Sequence, residues 1–280
     1  VTRTGTHTHA HSHDRNHTHT HTRTRTARAL TATTTLALLL LTATACGTAS
    51  AGDDKHPDHR TFALTGRTLT VDSDDSALEI VAADSNPAGK VEVTRWWQGS
   101  VAIGSDPKVT WAMDGDRLVL RTKCSGVIAD CSVKHRIEVP RGVAVNVEDG
   151  DGSVRARGFT DALSVRTHDG SVHVTDSTGP VTLRSGDGSV HAEVASRKVR
   201  ATTGDGSVRL ELGAVPDLVE ARSGDGSVTI ALPKGGGAEY RVTTKTGDGS
   251  VDVSVPRDSS SSHVVTAHTG DGKVTVRNAN

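Results

Sequence analysis

The tetrapeptide Asp-Gly-Ser-Val recurs at Asp151, Asp169, Asp187, Asp205, Asp225 and Asp248, and a seventh copy, with Lys273 in place of Ser, begins at Asp271. Successive copies lie 18, 18, 18, 20, 23 and 23 residues apart. A near-fixed period of this size marks a repeat architecture, in which each unit stacks on the next. The glycines that follow the aspartates are Gly152, Gly170, Gly188, Gly206, Gly226, Gly249 and Gly272. A glycine also precedes the Asp in every copy but one, where His168 stands instead.

Apolar residues flank each corner on alternate positions. Val190, Ala192 and Val194 follow one corner, and Val208, Leu210 and Leu212 follow the next. Val228, Ile230 and Leu232, then Val251, Val253 and Val255, continue the pattern. A period of two is the strand period, with one face buried and one in water. Each repeat therefore reads as strand, Gly-Asp-Gly-Ser corner, strand and a variable corner. The insertions Gly235-Gly236-Gly237 and 259–262 fall between strands, where repeats accept extra residues. Only 2% of the residues are aromatic, which suits a thin core between close strands.

The expected fold is all-β: a β-solenoid resembling a single-stranded β-helix over 146–280, with an N-terminal β module over 60–145. The alternative is an antiparallel meander, because Asp-Gly is also a hairpin signal. The corner glycines are expected to adopt positive φ, and the aspartates to tolerate the left-handed region and bond neighbouring N–H groups. In a solenoid the aspartates stack about 4.8 Å apart. At that spacing neighbours repel by roughly 1 kcal/mol in water, so they must splay, be held by N–H groups, or bind cations.

Residues 60–145 also alternate. Leu78, Ile80 and Ala82 share a face; Val109, Trp111 and Met113 lead into an Asp114-Gly115 turn; and Pro140 suits a strand end. Trp96 and Trp97 are adjacent, so a strand sends them to opposite faces. Cys124 and Cys131 bracket a short loop and are expected to form a disulfide outside the cytoplasm.

The first 59 residues read as an address. Residues 1–29 form a His/Thr/Arg tract without apolar periodicity, expected to be disordered and either to precede the true start or to be a long signal n-region, with metal binding by its clustered histidines as the alternative. Residues 30–45 form a short apolar run behind Arg23, Arg25 and Arg28, too short to span a bilayer and suited to a signal peptide. The run ends Ala43-Thr44-Ala45-Cys46, similar to the bacterial lipobox, whose thiol receives diacylglycerol. Lipidation of Cys46 leaves an even pair of cysteines and makes 46–59 a tether, with the membrane as partner. Cleavage after Ala45 or Ala51 by the ordinary peptidase would instead release a secreted protein.

The net charge of -1 argues against a nucleic-acid groove. No P-loop, Gly-x-Ser-x-Gly elbow or His-Glu-x-x-His helix is present, so no catalytic residue and no cofactor is assigned. A calcium roll would carry a glycine-aspartate run twice per coil, and here there is one, so no metal site is assigned either. A calcium-stabilised roll and a glycan-processing solenoid enzyme remain the alternatives.

The tether after a lipobox, Cys124 and Cys131 near Val139-Pro140, and the seven corners together resemble a bacterial β-strand-repeat family provisionally designated adhesins, whose function is unknown. The resemblance spans about residues 70–280. It implies a surface location and transfers no catalytic residue. The expected function is that of an exported, lipid-anchored, non-catalytic scaffold or binding module for a surface glycan or protein. Arg155, Arg166, His173, Arg184, Arg209 and Thr229 are expected to form its binding face.

Overall fold

The computed structural model describes residues 54–279, except 85, 102, 128, 235 and 236. The His/Thr/Arg tract, the apolar run, Cys46 and the first part of the tether lie outside the described residues.

Seven strands precede the repeat: β1 (Asp58–Ala63), β2 (Thr68–Ser73), β3 (Ala77–Ala83), β4 (Lys90–Val101), β5 (Lys108–Asp114), β6 (Arg117–Lys123) and β7 (Ala129–Pro140). The first repeats give β8 (Ala144–Asp149), β9 (Val154–Arg157), β10 (Leu163–Thr167), β11 (Val172–Ser177), β12 (Val181–Arg184) and β13 (Val190–Val194). Next come β14 (Lys198–Thr202), β15 (Val208–Leu212), β16 (Leu218–Arg222) and β17 (Val228–Leu232). The last are β18 (Arg241–Lys245), β19 (Val251–Val253), β20 (Val264–His268) and β21 (Val274–Asn278).

Every repeat places one strand in each of two sheets. The 11-stranded sheet runs β1-β4-β7-β3-β9-β11-β13-β15-β17-β21-β19, and the 10-stranded sheet runs β18-β20-β16-β14-β12-β10-β8-β2-β6-β5. Equivalent strands pair in parallel and in register: Val190 lies opposite Val208, and Leu210 opposite Ile230. The fold is thus a two-sided β-solenoid, and the meander is excluded for the repeats. Antiparallel pairing is confined to one end, where β4 joins β1 and β7, and β5 joins β6. The last of these pairs is the hairpin signalled by Asp114-Gly115, with Gly115 at φ 59°.

The stack is longer than its seven signature corners. β2 with β3, and β6 with β7, are rungs of the same kind. Their corners, Asp74-Asp75-Ser76 and the cysteine loop, lack the Gly-Asp-Gly signature. Both sheets and the core continue across residue 145.

Rung order departs from chain order at both ends. The first rung in sequence, β2–β3, sits second in space, between β6–β7 and β8–β9. The last rung in sequence, β20–β21, sits between β16–β17 and β18–β19. The two long spacings therefore have a structural use. The segment after Leu232 carries the chain past one rung position, and the segment after Val253 brings it back to fill the gap.

Burial follows the two-residue period. In β15, Val208, Leu210 and Leu212 are buried while Arg209 and Glu211 are exposed. The core is mostly Val, Leu, Ile and Ala from both sheets, as a separation of about 10 Å allows. Val251 departs from the expected burial and is 46% exposed. It lies on β19, the outermost strand, which has a neighbour on only one side. That edge strand is three residues long, which limits its use as a template for further pairing.

Candidate functional site

The corners form a continuous edge along the stack. Their glycines do not have positive φ; among the described residues, positive-φ glycines are confined to Gly89, Gly115, Gly142, Gly158 and Gly237. Among the described residues the one non-glycine residue with positive φ is Asp176, on β11, and not a corner aspartate. Glycine is needed for another reason. A Cβ at Gly204 would fall 2.7 Å from the Gly186 carbonyl oxygen of the adjacent rung, and at Gly188, Gly206 and Gly226 the approach would be closer still. Neighbouring corners touch backbone to backbone. Gly204 N–H donates to Gly186 O at 2.5 Å, and Gly224 N–H to Gly204 O at 2.6 Å.

A second ladder lies just inside the first. Thr167, Ser185, Thr203, Ser223, Thr246 and Thr269 each stand two residues before the corner aspartate. Ser223 Oγ donates to Gly206 O at 2.7 Å and accepts from Gly226 N–H at 2.9 Å. Thr269 Oγ1 donates to Gly226 O at 2.6 Å, and Ser185 Oγ to Gly170 O at 2.9 Å. These hydroxyls occupy the role expected of the aspartates. Sequence reasoning missed them, although a Ser or Thr before Gly-Asp or His-Asp recurs in six copies.

The first signature corner breaks this rule with Asp149. It is 8% exposed, and neither carboxylate oxygen has a hydrogen-bond partner. Burial first, then the charges of Asp75 and Asp151, push its pKa up to about 7. The Ser73 hydroxyl and Gly152 N–H lie near enough to offset part of this without reaching hydrogen-bond geometry.

The corner aspartates Asp151, Asp169, Asp187, Asp205, Asp225, Asp248 and Asp271 are all exposed. Exposure to water screens their mutual repulsion. His168 adds a histidine to this edge: its Nδ1 lies 2.9 Å from Asp169 Oδ1 and 3.8 Å from Asp151 Oδ1. Among the described residues this trio is the one group of three or more metal-ligating side chains close enough to share an ion.

The expected binding face divides in two. Arg155, His173, Arg209 and Thr229 lie in one row on the 11-stranded sheet, in register through His191. Burial first, then His191, whose ring stacks edge-on at 4.7 Å, lowers the His173 pKa. Arg166 and Arg184 lie on the other sheet. Their row continues through Thr202, Arg222 and His268 to Lys245. The two arginines line a shallow concavity of about 490 Å³ beside the corner edge, with Asp72, Glu148 and His168. At the foot of that row Arg117 bridges Asp72 and Glu148, both at 2.7 Å.

The end beyond β6 and β7 holds the disulfide between Cys124 and Cys131, with Cα atoms 6.2 Å apart. Trp96 and Trp97 are both half-buried, the first beneath the Lys134 ammonium at 5.2 Å. His135 is fully buried beside Arg95 and Trp111. Desolvation, then the Arg95 charge, lowers its pKa to about 3, so it stays neutral.

Stacked two-strand coils with tight, repeated corners match the profile of the Toastrack DUF4097 family over residues 117–279. The chain belongs to that family. No curated protein matches it. Three crystal structures are similar at low identity. A Bacteroides fragilis protein provisionally named an adhesin is 13% identical, with TM-score 0.48 over 82% of this chain and 100% of that one. A Clostridium sporogenes protein provisionally named for cell adhesion is 12% identical, with TM-score 0.37 over 80% and 100%. A Parabacteroides merdae protein provisionally named an adhesin is 11% identical, with TM-score 0.41 over 81% and 98%. Likenesses this distant carry no functional conclusion. In this Toastrack chain the corner glycines and hydroxyls bond to the next rung, and the outward strand residues face solvent.

Proposed function

We propose that the protein is an exported, non-catalytic surface module, held at the outer face of the cell membrane by lipid on Cys46, whose solenoid faces bind an extended glycan or protein. The observation that supports this reading most is the division of labour within each coil. Corner glycines and hydroxyls bond to the next rung, whereas the outward row from Arg166 to Lys245 stands in register beside the ion-paired row of Arg200 and Glu220. Arg166, Arg184, Arg222 and Lys245 have no ion-pair partner among the described residues. A row that carries four cations over six strands suits an extended ligand better than a small molecule. Secretion without lipid is the alternative.

The test is binding of the full chain to arrays of cell-envelope glycans and extracellular proteins. The R166S/R184S/R222S variant should keep its melting temperature and lose at least tenfold in affinity. Unchanged binding by a folded triple variant, or turnover of a bound glycan, would contradict the reading.

A further inference from the structure

Among the described residues three large apolar side chains are conspicuously exposed, and two of them are neighbours: Ile103 at 63% and Val127 at 79%. They stand on the connectors that join β4 to β5 and β6 to β7. The connectors are bound together. Val127 N–H donates to Ile103 O at 2.8 Å, Gly104 bridges Gly126, and the Cys124–Cys131 disulfide closes the second connector at its base. A Cβ at Gly104 would fall 2.6 Å from Gly126 Cα, so glycine is what lets the two backbones meet. The result is a braced tip that holds two apolar side chains in water. The third exposed residue, Val251, has its explanation in the edge rung.

The start of the described chain runs along β4 toward this tip. β1 runs antiparallel to β4, with Asp58 opposite Arg95. Going back from Asp58 toward Asp54, the chain follows β4 in the direction of Val101. Asp54 then accepts a hydrogen bond from Trp97 N–H at 3.0 Å. Cys46 is eight residues further back, a reach of at most about 28 Å. A lipid on Cys46 would keep Asp54 within that reach of the bilayer. The surroundings of the tip carry groups suited to an interface: the Trp97 ring and the Cys131 sulfur both flank Gly99, and Lys108 lies opposite Lys123 where the connectors leave β5 and β6.

We propose that the disulfide-braced tip carrying Ile103 and Val127 enters the interface of the bilayer that holds the Cys46 lipid, and so sets the orientation of the solenoid on the membrane. This rests on the lipid-anchor reading above. The lipid supplies retention, and the tip supplies the pose. Without the tip, the tether would leave the solenoid free to reorient.

The test uses full-length protein extracted from the envelope and placed in phosphatidylcholine–phosphatidylglycerol vesicles, after its intact mass is taken. Hydrogen exchange of residues 99–107 and 124–130 should slow at least fivefold on vesicles relative to detergent, with residues 241–253 unchanged. The I103S/V127S variant should retain the lipid mass and the melting temperature, and lose that protection. A lipidated protein without protection, or with the same protection in the double variant, overturns the docking and leaves the anchor standing. A mass without lipid removes both. Protection that grows with protein concentration in the absence of vesicles would assign the tip to a second copy and overturn the proposal.

Discussion

The Thr203 hydroxyl donates to the carbonyl oxygen of Gly188, one rung away, at 2.7 Å. It also reaches Gly186 O at 3.1 Å, so one side chain serves two corner carbonyls. Thr203→Val keeps the shape and removes the donor. The expected cost is about 1–2 kcal/mol of unfolding free energy, because the Gly188 carbonyl loses its hydroxyl donor, while Gly186 O keeps the Gly204 N–H. Urea denaturation checks it, with the exposed Thr202→Val as the control.

Much of this architecture is legible in the residues. The alternation of Val208, Leu210 and Leu212, and the recurrence of Asp187-Gly188 and its equivalents, specify strands joined by identical corners. Rung order is not legible, because Val219–Ala221 meets Val265–Ala267 as readily as it would Val242–Thr244; only the long connections hint at an exchange. The rungs at β2–β3 and β6–β7 were hidden for lack of the glycine signature. The corner glycines were legible as requirements, yet for the wrong cause. A close approach between rungs cannot be seen from one repeat alone. The inner hydroxyls were in view at Thr167, Ser185 and Thr203, overshadowed by charged neighbours.

Asp149 stands where the other corners carry a hydroxyl. Its pKa of about 7 exceeds the ordinary 3.8, so the folded state binds the extra proton between those values. Stability from this group is therefore present at low pH and lost as pH rises from about 4 through 7. His135, lowered to about 3, works in the opposite sense and costs stability as pH falls below about 6.5. Asp149→Thr should leave the His135 slope, remove the other, and stabilise the protein by about 1–3 kcal/mol at pH 8. Melting curves of both proteins from pH 4 to 8 check this.

The exchanged rung order has a covalent test. Glu220 lies opposite Thr266, and Thr243 lies one strand further out. Cysteines at 220 and 266 should cross-link with a short bifunctional reagent, and cysteines at 220 and 243 should not. Peptide mass spectrometry reads both.

The corner aspartates need no cation to close their turns, since hydroxyls and backbone groups do so. Excess chelator should leave the melting temperature within about 1 °C of its value in millimolar calcium. A large fall on chelation would revive the calcium-stabilised roll, and His168→Gly, which restores the common corner, would locate a single-site effect at Asp151 and Asp169.

The account depends most on Cys46, and the intact mass of the protein taken from the cell envelope tests it most directly. A chain that begins at Cys46 and carries diacylglycerol, absent in Cys46→Ser, is the predicted result. An unmodified chain, whether it begins at Cys46 or at Gly52, would contradict the anchored module and indicate a secreted one.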